Sequence, residues 1–488
     1  MVSPWFSRVA VLLLALAALR LVGLFAADPM LAVANNYDMI RVQACIDAYP
    51  DRDRAIPPEA NSYDRPLERY RFLAGVGAPC FVTSEAAFAF LAWPAMWTEQ
   101  ALRADHSFSV RWDGAIKLLL LAGVVIAVHR TLVRRGASQL ALGHAAVVAV
   151  VLADPAVGLY LNGFYAEFSA VFFFYALLAG LVLGLGAAPH PPGRAVLAGI
   201  VLAATGLALA KVQHVLTPLF VLGVVGLLHL LARRIDRRVL GALALGAVLG
   251  AALQGAHLMS EQTRSMGRAN KINTVFHALL PHAEDGPQLM RDLGLPAACA
   301  EHAGANWFTP GMAEGQLCPE ALTLSRRALL RVVMTQPRLT ARVVLDGVRR
   351  SRPWIPSYLG LVEGQALGRL PATHPSLDRA LSALSDTTYL LLLGALPLWA
   401  AWLVWRRREA GQQAANVAIA VLATYPWFSL AVVVLGDGYA DTAKQSHLGT
   451  TAALAALVAA VALGVGARRR KSADPGLPGA ASAPTLAP

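Results

Sequence analysis

Uninterrupted apolar runs of about 20 residues, the length an α-helix needs to cross the hydrocarbon core of a bilayer, recur along this chain from Trp5 to Val465. Water is absent from that core, so each run must close its backbone hydrogen bonds internally, as a helix. Ten runs qualify: 5–26, 114–130, 138–154, 166–187, 195–211, 215–232, 239–257, 384–405, 414–435 and 447–466. Only 15% of the 488 residues are charged, against roughly 25% in an ordinary soluble domain, and the mean hydropathy is +0.52. These properties exclude a soluble enzyme and predict an all-α polytopic membrane protein of about ten transmembrane helices.

The basic excess, 42 Lys+Arg against 30 Asp+Glu, follows the helix connections and does not form a nucleic-acid surface. With the N-terminus inside, the cytoplasmic connections hold Arg130, Arg134, Arg135, Arg194, Arg233, Arg234, Arg237, Arg238, Arg406 to Arg408 and Arg468 to Lys471, fifteen basic residues. The three short outward turns hold two, Lys211 and Lys444. Such an asymmetry predicts N-in and C-in, which an even number of spans requires. The chain then divides into a seven-span module, 1–257, with an outward loop, 27–113, an outward loop domain, 258–383, a three-span module, 384–466, and a cytoplasmic tail, 467–488. From Ser472 the tail is Pro, Ala and Ser, too poor in apolar bulk to bury a core, and is expected to be disordered.

Cysteine placement is an independent check on this topology, because disulfides persist in oxidising compartments. All four cysteines fall in the two outward loops, two in each, which predicts the bridges Cys45–Cys80 and Cys299–Cys318; buried free thiols are the alternative. The first run resembles a cleavable signal peptide in its basic start at Arg8 and small residues near Ala27. Its length and the interruption at Arg20 favour an uncleaved anchor.

Both loops carry segments suited to the bilayer interface. Phe81 to Trp97, with Phe88, Phe90, Trp93 and Trp97 and a break at Pro94, is too short to span and reads as an interfacial helix. From Arg326 to Arg350, apolar Leu329, Val332, Leu339, Val343 and Val348 alternate with Arg327, Arg331, Arg338, Arg342 and Arg349, a basic amphipathic helix pair kinked at Pro337. It is suited to lipid headgroups or to a lipid-linked phosphate. The spans are nearly free of ionisable residues, Arg20 and Lys117 being the main exceptions, whereas a coupled transporter needs such groups inside its bundle. No inverted internal repeat of the transporter kind is visible.

Four polar clusters fall at the outward rim: Asn35-Asn36-Tyr37-Asp38-Met39-Ile40-Arg41; Asp154-Pro155 with Tyr160-Leu161-Asn162-Gly163-Phe164-Tyr165-Ala166-Glu167; Lys211-Val212-Gln213-His214; and Gly436-Asp437-Gly438-Tyr439-Ala440-Asp441-Thr442-Ala443-Lys444-Gln445-Ser446-His447. The topology puts all four on one face. Asp38 suits a base or a helix cap pairing with Arg41; Glu167 suits a second acid, a sugar ligand or a partner of the helix dipole. Lys211 and Lys444 break the charge bias of the short outward turns, which a bound phosphate would explain; Arg268 in the long loop is a third such cation, and snorkelling to lipid phosphates is the alternative for each. Asp437 and Asp441 are read as holding the turn around Gly436 and Gly438 and neutralising Lys444. His144 and His229 read as packing residues. No zinc spacing, Walker sequence or Gly-rich dinucleotide pattern occurs.

In their order along positions 35 to 447 these clusters resemble membrane glycosyltransferases of the GT-C class, and more narrowly bacterial glycan-biosynthesis hexose transferases that use polyprenyl-phosphate sugars. The shared patterns are the Asp-containing motif after helix one, Tyr-x-Asn-x-Phe-Tyr-x-Glu, Lys-x-Gln, and Gly-Asp-Gly-x-Ala-Asp-x-x-Lys. Gln445 departs from the pattern, which has His after the Lys; His447 lies two residues on. The resemblance implies a GT-C-like fold, transfer of a hexose from a polyprenyl-phosphate donor to a cell-envelope glycan or lipid-linked acceptor, and a site on the outer face of a bacterial inner membrane. It further implies Asp38 as general base, Glu167 beside it, and Arg41, Lys211, Arg268 and Lys444 on the donor phosphate, with Asn162, Tyr165, Gln213, Asp437, Asp441 and His447 as further site candidates. No cofactor is required; a divalent ion at Asp38 stays open. The partners expected are the donor, the acceptor and the bilayer, with no nucleic acid. Two other classes remain as alternatives: a lipid-linked glycan flippase or other transporter, and an O-antigen polymerase or ligase, which would rely on outward arginines and a histidine.

Overall fold

The computed structural model describes residues 4–34, 38–51, 65–76, 80–81, 83–186, 191–232, 235–259, 261–356, 358–365, 369–406 and 413–473. In chain order the helices that matter below are α1 (Pro4–Phe25), α2 (Ile40–Ile46), α3 (Glu85–Leu102), α4 (Arg111–Arg134), α5 (Ser138–Val147), α6 (Ala166–Leu185), α7 (Arg194–Ala210), α8 (Thr217–Ala232), α9 (Arg237–Leu258), α10 (Glu261–Ile272), α11 (Arg326–Thr335), α12 (Pro337–Arg350), α13 (Asp386–Arg406), α14 (Gln413–Asp437) and α15 (His447–Ala473). Every one of the ten apolar runs is helical, and the chain is an all-α polytopic membrane protein. Among the described residues eight helices are long and apolar enough to cross a bilayer.

The two others are shorter apolar helices: α5 with its π-helical continuation Val148–Leu152 ends two residues before its run does, and α7 is as long as its run but shifted by one residue. Their ends coincide with rim clusters. Asp154 caps the short helix Pro155–Gly158 just after the π segment, its side chain accepting from the Ala156 amide. Lys211 leaves α7 with extended backbone, which ends the helix and turns its side chain inward. At the other end of the chain α15 runs to Ala473, so the tail boundary at 467 falls within a helix. The rest of the expected disordered tail lies outside the described residues, as do Asn35 to Tyr37.

Packing follows from side-chain size. Gly246 and Gly250 on α9 abut α7 so closely that a Cβ at either would lie 2.7 or 2.5 Å from the methyls of Ala204 and Ala208. Small residues let membrane helices approach in this way, where no hydrophobic drive distinguishes protein from lipid. Helices α6, α14 and α15 are the most buried of the spanning set. Arg20, the charge within α1, is satisfied by Ala149 O at 3.0 Å, Pro375 O at 2.9 Å and Asp154 at 3.6 Å.

Both long loops sit at one end of the bundle, hereafter the loop end, and are joined to each other. Ala32 N donates to Leu361 O at 3.2 Å, Ala34 N to Gly360 O at 2.9 Å and Glu363 N to Met30 O at 2.9 Å. In the first loop a small antiparallel sheet, β1 (Ala48–Pro50), β2 (Arg69–Phe72) and β3 (Phe108–Ser109), pairs Tyr49 with Arg71 and Tyr70 with Phe108. It is the one departure from helix in the expected fold among the described residues. Both expected disulfides form, Cys45–Cys80 and Cys299–Cys318. Helix α3 buries Phe88, Ala89, Ala92 and Met96 and exposes Phe90, Leu91, Trp93 and Trp97, the two-faced pattern of an interfacial helix. The pair α11–α12 breaks at Pro337 as expected, burying Leu329, Val332, Leu339 and Val343 and turning its arginines out.

Candidate functional site

Asp38 opens the first turn before α2 and is held from above by its surroundings. The Tyr165 hydroxyl donates to Ala34 O, and the pairing of 30–34 with 360–363 fixes that segment. Its carboxylate is buried, 7% exposed, and meets three cations: Oδ1 lies 3.0 Å from Arg41 Nη2, and Oδ2 lies 3.0 Å from both Lys211 Nζ and Lys444 Nζ. Lys211 also pairs with Glu167 at 2.5 Å, and Lys444 with Asp441 at 2.5 Å. Four rim clusters, separated by up to four hundred residues in sequence, therefore supply one network of three carboxylates and three cations.

Charges buried this deeply survive only when paired. Burial opposes ionisation of Asp38, yet Arg41, Lys211 and Lys444 together outweigh it and hold the carboxyl well below the usual carboxylate range. Lys444 is likewise opposed by burial and held well above its ordinary value by Asp38 and Asp441. Asp441 goes the other way: burial dominates its single close cation and lifts it to about 6. The result is a fixed anion at Asp38 whose basicity is set by Arg41 and by how fully the two lysines remain on it.

The wall of the site is aromatic and amide. The rings of Tyr160 and Tyr165 meet edge to face, with centroids 5.5 Å apart, and Lys444 lies 5.9 Å from the Tyr165 centroid. His447 donates through Nε2 to Ala156 O at 3.0 Å, and its ring contacts Tyr160 and stacks on Trp354. Gln213 Nε2 donates to Gln445 O at 2.9 Å, and Gln445 Oε1 accepts from Lys211 at 3.4 Å. Gln445, the position that departs from the expected His, is thus itself a partner of Lys211. Asp437 accepts from Asn273 Nδ2 at 3.2 Å, beside Asn270, and Gly438 presses against the Asn273 carbonyl with φ +63. No Cβ fits there.

Two expected site residues lie elsewhere. Asn162 is buried and donates to Phe25 O and Leu31 O at 3.2 and 3.3 Å, pinning the exit of α1 to the segment 30–34. Arg268 is exposed on α10, where it raises the local positive potential around Lys271 together with Arg326; no ion pair joins it to the Asp38 network among the described residues. Trp354, Asn270 and Asn273 belong to the site's surroundings and carried no sequence signal, since each comes from a long loop with no recognisable motif around it.

A divalent ion at Asp38 would face three cations within hydrogen-bond reach of the same carboxylate, an arrangement that electrostatics opposes. Among the described residues one group of candidate ligand atoms is close enough for a metal, Cys299, Cys318 and Glu320, and its sulfurs are joined to each other. Between the helices a partly open apolar cavity of about 130 Å³ is lined from Leu152 and Leu448, next to His447, to Leu132 and Leu463, with the hydrogen-bonded pair His144 and Tyr175, 2.7 Å apart, on its wall.

Fold and site together define a polytopic helical membrane protein with a buried acid–lysine centre at the junction of bilayer and loops. A family model described as YfdI N-terminal transmembrane domain matches residues 12–317, and the chain belongs to that family. No curated protein and no solved structure matches it.

Proposed function

We propose that the chain is a glycosyltransferase that moves a hexose from a polyprenyl-phosphate donor to a cell-envelope glycan or lipid-linked acceptor, at the outer face of a bacterial inner membrane. The observation that carries this reading is the Asp38 carboxylate shared by Lys211 and Lys444 at the membrane boundary. Such a centre contains both parts that the reaction needs: a base for the acceptor and cations for the leaving phosphate. The acceptor hydroxyl loses its proton to Asp38 as its oxygen bonds to the sugar's anomeric carbon. The anomeric carbon–oxygen bond to phosphate breaks, the electron pair leaves with the lipid phosphate, and the anomeric configuration inverts.

The resting charge balance suits this sequence of events. In the free site Arg41 and the two lysines hold Asp38 strongly acidic, so it is a weak base. A donor phosphate that draws Lys211 and Lys444 toward itself relieves the carboxylate of positive charge, and basicity rises only when a donor is in place. Glu167 and Asp441 keep the lysines anchored while they turn. The neighbouring apolar cavity is suited to an isoprenoid chain.

The test is transfer by purified protein in nanodiscs, with a radiolabelled polyprenyl-phosphate hexose and an envelope lipid and glycan extract as acceptor. Label appearing in the extract only when the protein and the donor are both present is the expected result. Absence of both transfer and saturable donor binding would overturn the reading.

A further inference from the structure

Beneath the Asp38 network lies a second buried charge cluster that the proposed chemistry does not use. Glu85, the first residue of α3, and Asp113 and Lys117, one turn apart on α4, have side chains with 0% exposure. The Lys117 ammonium pairs with Glu85 and, at 2.6 Å, with Asp113. Its remaining direction points at backbone: Gly163 O accepts at 2.6 Å, with Tyr160 O and Leu161 O at 3.4 and 3.5 Å. These carbonyls belong to the segment that carries Tyr160 and Tyr165 and enters α6 at Glu167. Gly114 admits that segment, since a Cβ there would lie 2.6 Å from Asn162 Oδ1 and 3.1 Å from Leu161 O.

Glu85 extends the cluster in two directions. Its Oε2 accepts from the Ser169 amide at 3.1 Å, in the first turn of α6. The two residues before it dock on the end of α7: Ser84 N donates to Leu209 O at 3.0 Å and Thr83 Oγ1 to Ala210 O at 2.9 Å. Lys211 is the next residue. The cluster thus touches the backbone on either side of Glu167 and, through Thr83 and Ser84, the backbone immediately before Lys211. Burial, with Asp113 adding to it and Lys117 opposing it, pushes Glu85 up to about 8, so at neutral pH the group can hold a proton and the cluster is electrically neutral.

We infer that Lys117, held by Glu85 and Asp113, is a positioning residue that sets the 160–169 segment and the end of α7 so that Glu167 and Lys211 meet at Asp38. A purely structural ion cluster would be replaceable by neutral groups of similar shape, whereas positioning requires the hydrogen bond to Gly163 O. Two triple variants separate the cases. Both carry Glu85→Gln and Asp113→Asn; one adds Lys117→Met, which cannot donate, and the other Lys117→Gln, which can. Both remove the buried charges, so both are expected to melt close to the unmodified protein.

The readout is amide hydrogen exchange over residues 160–169 in detergent, with sugar transfer measured alongside; only the second rests on the function proposed above. The Met variant should lose at least tenfold in protection across this segment and at least tenfold in kcat, and the Gln variant should recover most of both. Equal protection in the two variants would overturn the positioning role, whatever the protein's activity. A protection difference as expected in a protein that transfers no sugar would leave the positioning intact and count against the proposed function alone. Should the Met variant fail to fold, the Gln variant is compared with the unmodified protein alone: it keeps a donor, so protection across 160–169 should stay within a few-fold, and a loss of tenfold or more in a folded Gln variant would overturn the role.

Discussion

Replacing Asp38 by Asn separates chemistry from structure at this site, because the surrounding geometry specifies what each cation retains. Removing one partner of a buried ion pair typically costs about 3 to 5 kcal/mol, since the other charge is left uncompensated. Here Lys211 keeps Glu167 at 2.5 Å and Lys444 keeps Asp441 at 2.5 Å. Arg41 loses its carboxylate, but its side chain is 21% exposed and its guanidinium lies 5.7 Å from the Phe81 ring centroid. The amide also retains an acceptor oxygen. The loss should therefore be about 1.5 to 3 kcal/mol, the value of one charge-assisted hydrogen bond, small against a typical stability of about 5 to 15 kcal/mol. Transfer, by contrast, should fall roughly 10²- to 10⁴-fold with the base gone. The paired measurements are thermal unfolding in detergent and label transfer in nanodiscs. A folded variant that transfers within a few-fold of the unmodified protein would refute Asp38 as the base and leave Glu167 as the acid to test. A variant that unfolds would refute the statement that the remaining carboxylates satisfy both lysines.

Lys444→Ala should weaken binding of a polyprenyl-phosphate donor by roughly ten- to a hundredfold, the value of a charge-assisted contact of about 1.5 to 3 kcal/mol, and Lys444→Arg should retain much of the affinity; equal affinities in all three would assign Lys444 to pairing with Asp441 alone. Because burial raises Asp441 from 3.8 to about 6, the neutral form favours the fold: its contribution is complete below pH 3.8 and is lost as pH rises through 6, about 3 kcal/mol in all. Melting followed from pH 4 to 7 should accordingly be less pH-dependent in Asp441→Asn than in the unmodified protein, and identical slopes would contradict the assignment. Gly438→Ala should destabilise the protein by more than about 1 kcal/mol, since it drives a Cβ into the Asn273 carbonyl at φ +63; an unchanged melting temperature would refute the tight approach. A membrane-impermeant thiol reagent should label Cys80, the exposed member of its bridge, only after reduction, and prompt labelling of untreated protein would exclude that bridge.

Much of this architecture was legible because lipid is a strict solvent: a backbone that cannot hydrogen-bond to its surroundings must form helices, and apolar runs mark where. The same strictness exposed Lys211 and Lys444, cations in turns that otherwise lack them, and with them the lysine centre. Contacts between distant segments left less trace. Nothing in the sequence around Glu85 distinguishes it from the other acids of a polar loop, although Asp113 and Lys117 stand at the i,i+4 spacing that pairs charges on one helix face. The sheet strands of two to four residues are too short for an alternating pattern to emerge. Asn162 fitted a motif yet serves as a clamp, since a motif records residue order and not the direction in which a side chain points. Arg268 was grouped by charge with cations from which α10 keeps it apart.

The contributions of Lys211 and Lys444 to a single carboxylate also carry a consequence in time. A ribosome adding roughly 5 to 20 residues per second reaches Lys444 some 10 to 50 seconds after Lys211. Throughout that interval Asp38 and Glu167 share one lysine beside Arg41, and the third cation arrives with the hairpin that introduces the last span. A nascent chain therefore waits in the membrane with a smaller, charge-balanced centre, Asp38 and Glu167 against Arg41 and Lys211, to which the last hairpin adds the balanced pair Asp441 and Lys444. Any chaperone or insertase that holds the early helices apart until the last hairpin enters has a defined event to wait for, the closing of Lys444 onto Asp38.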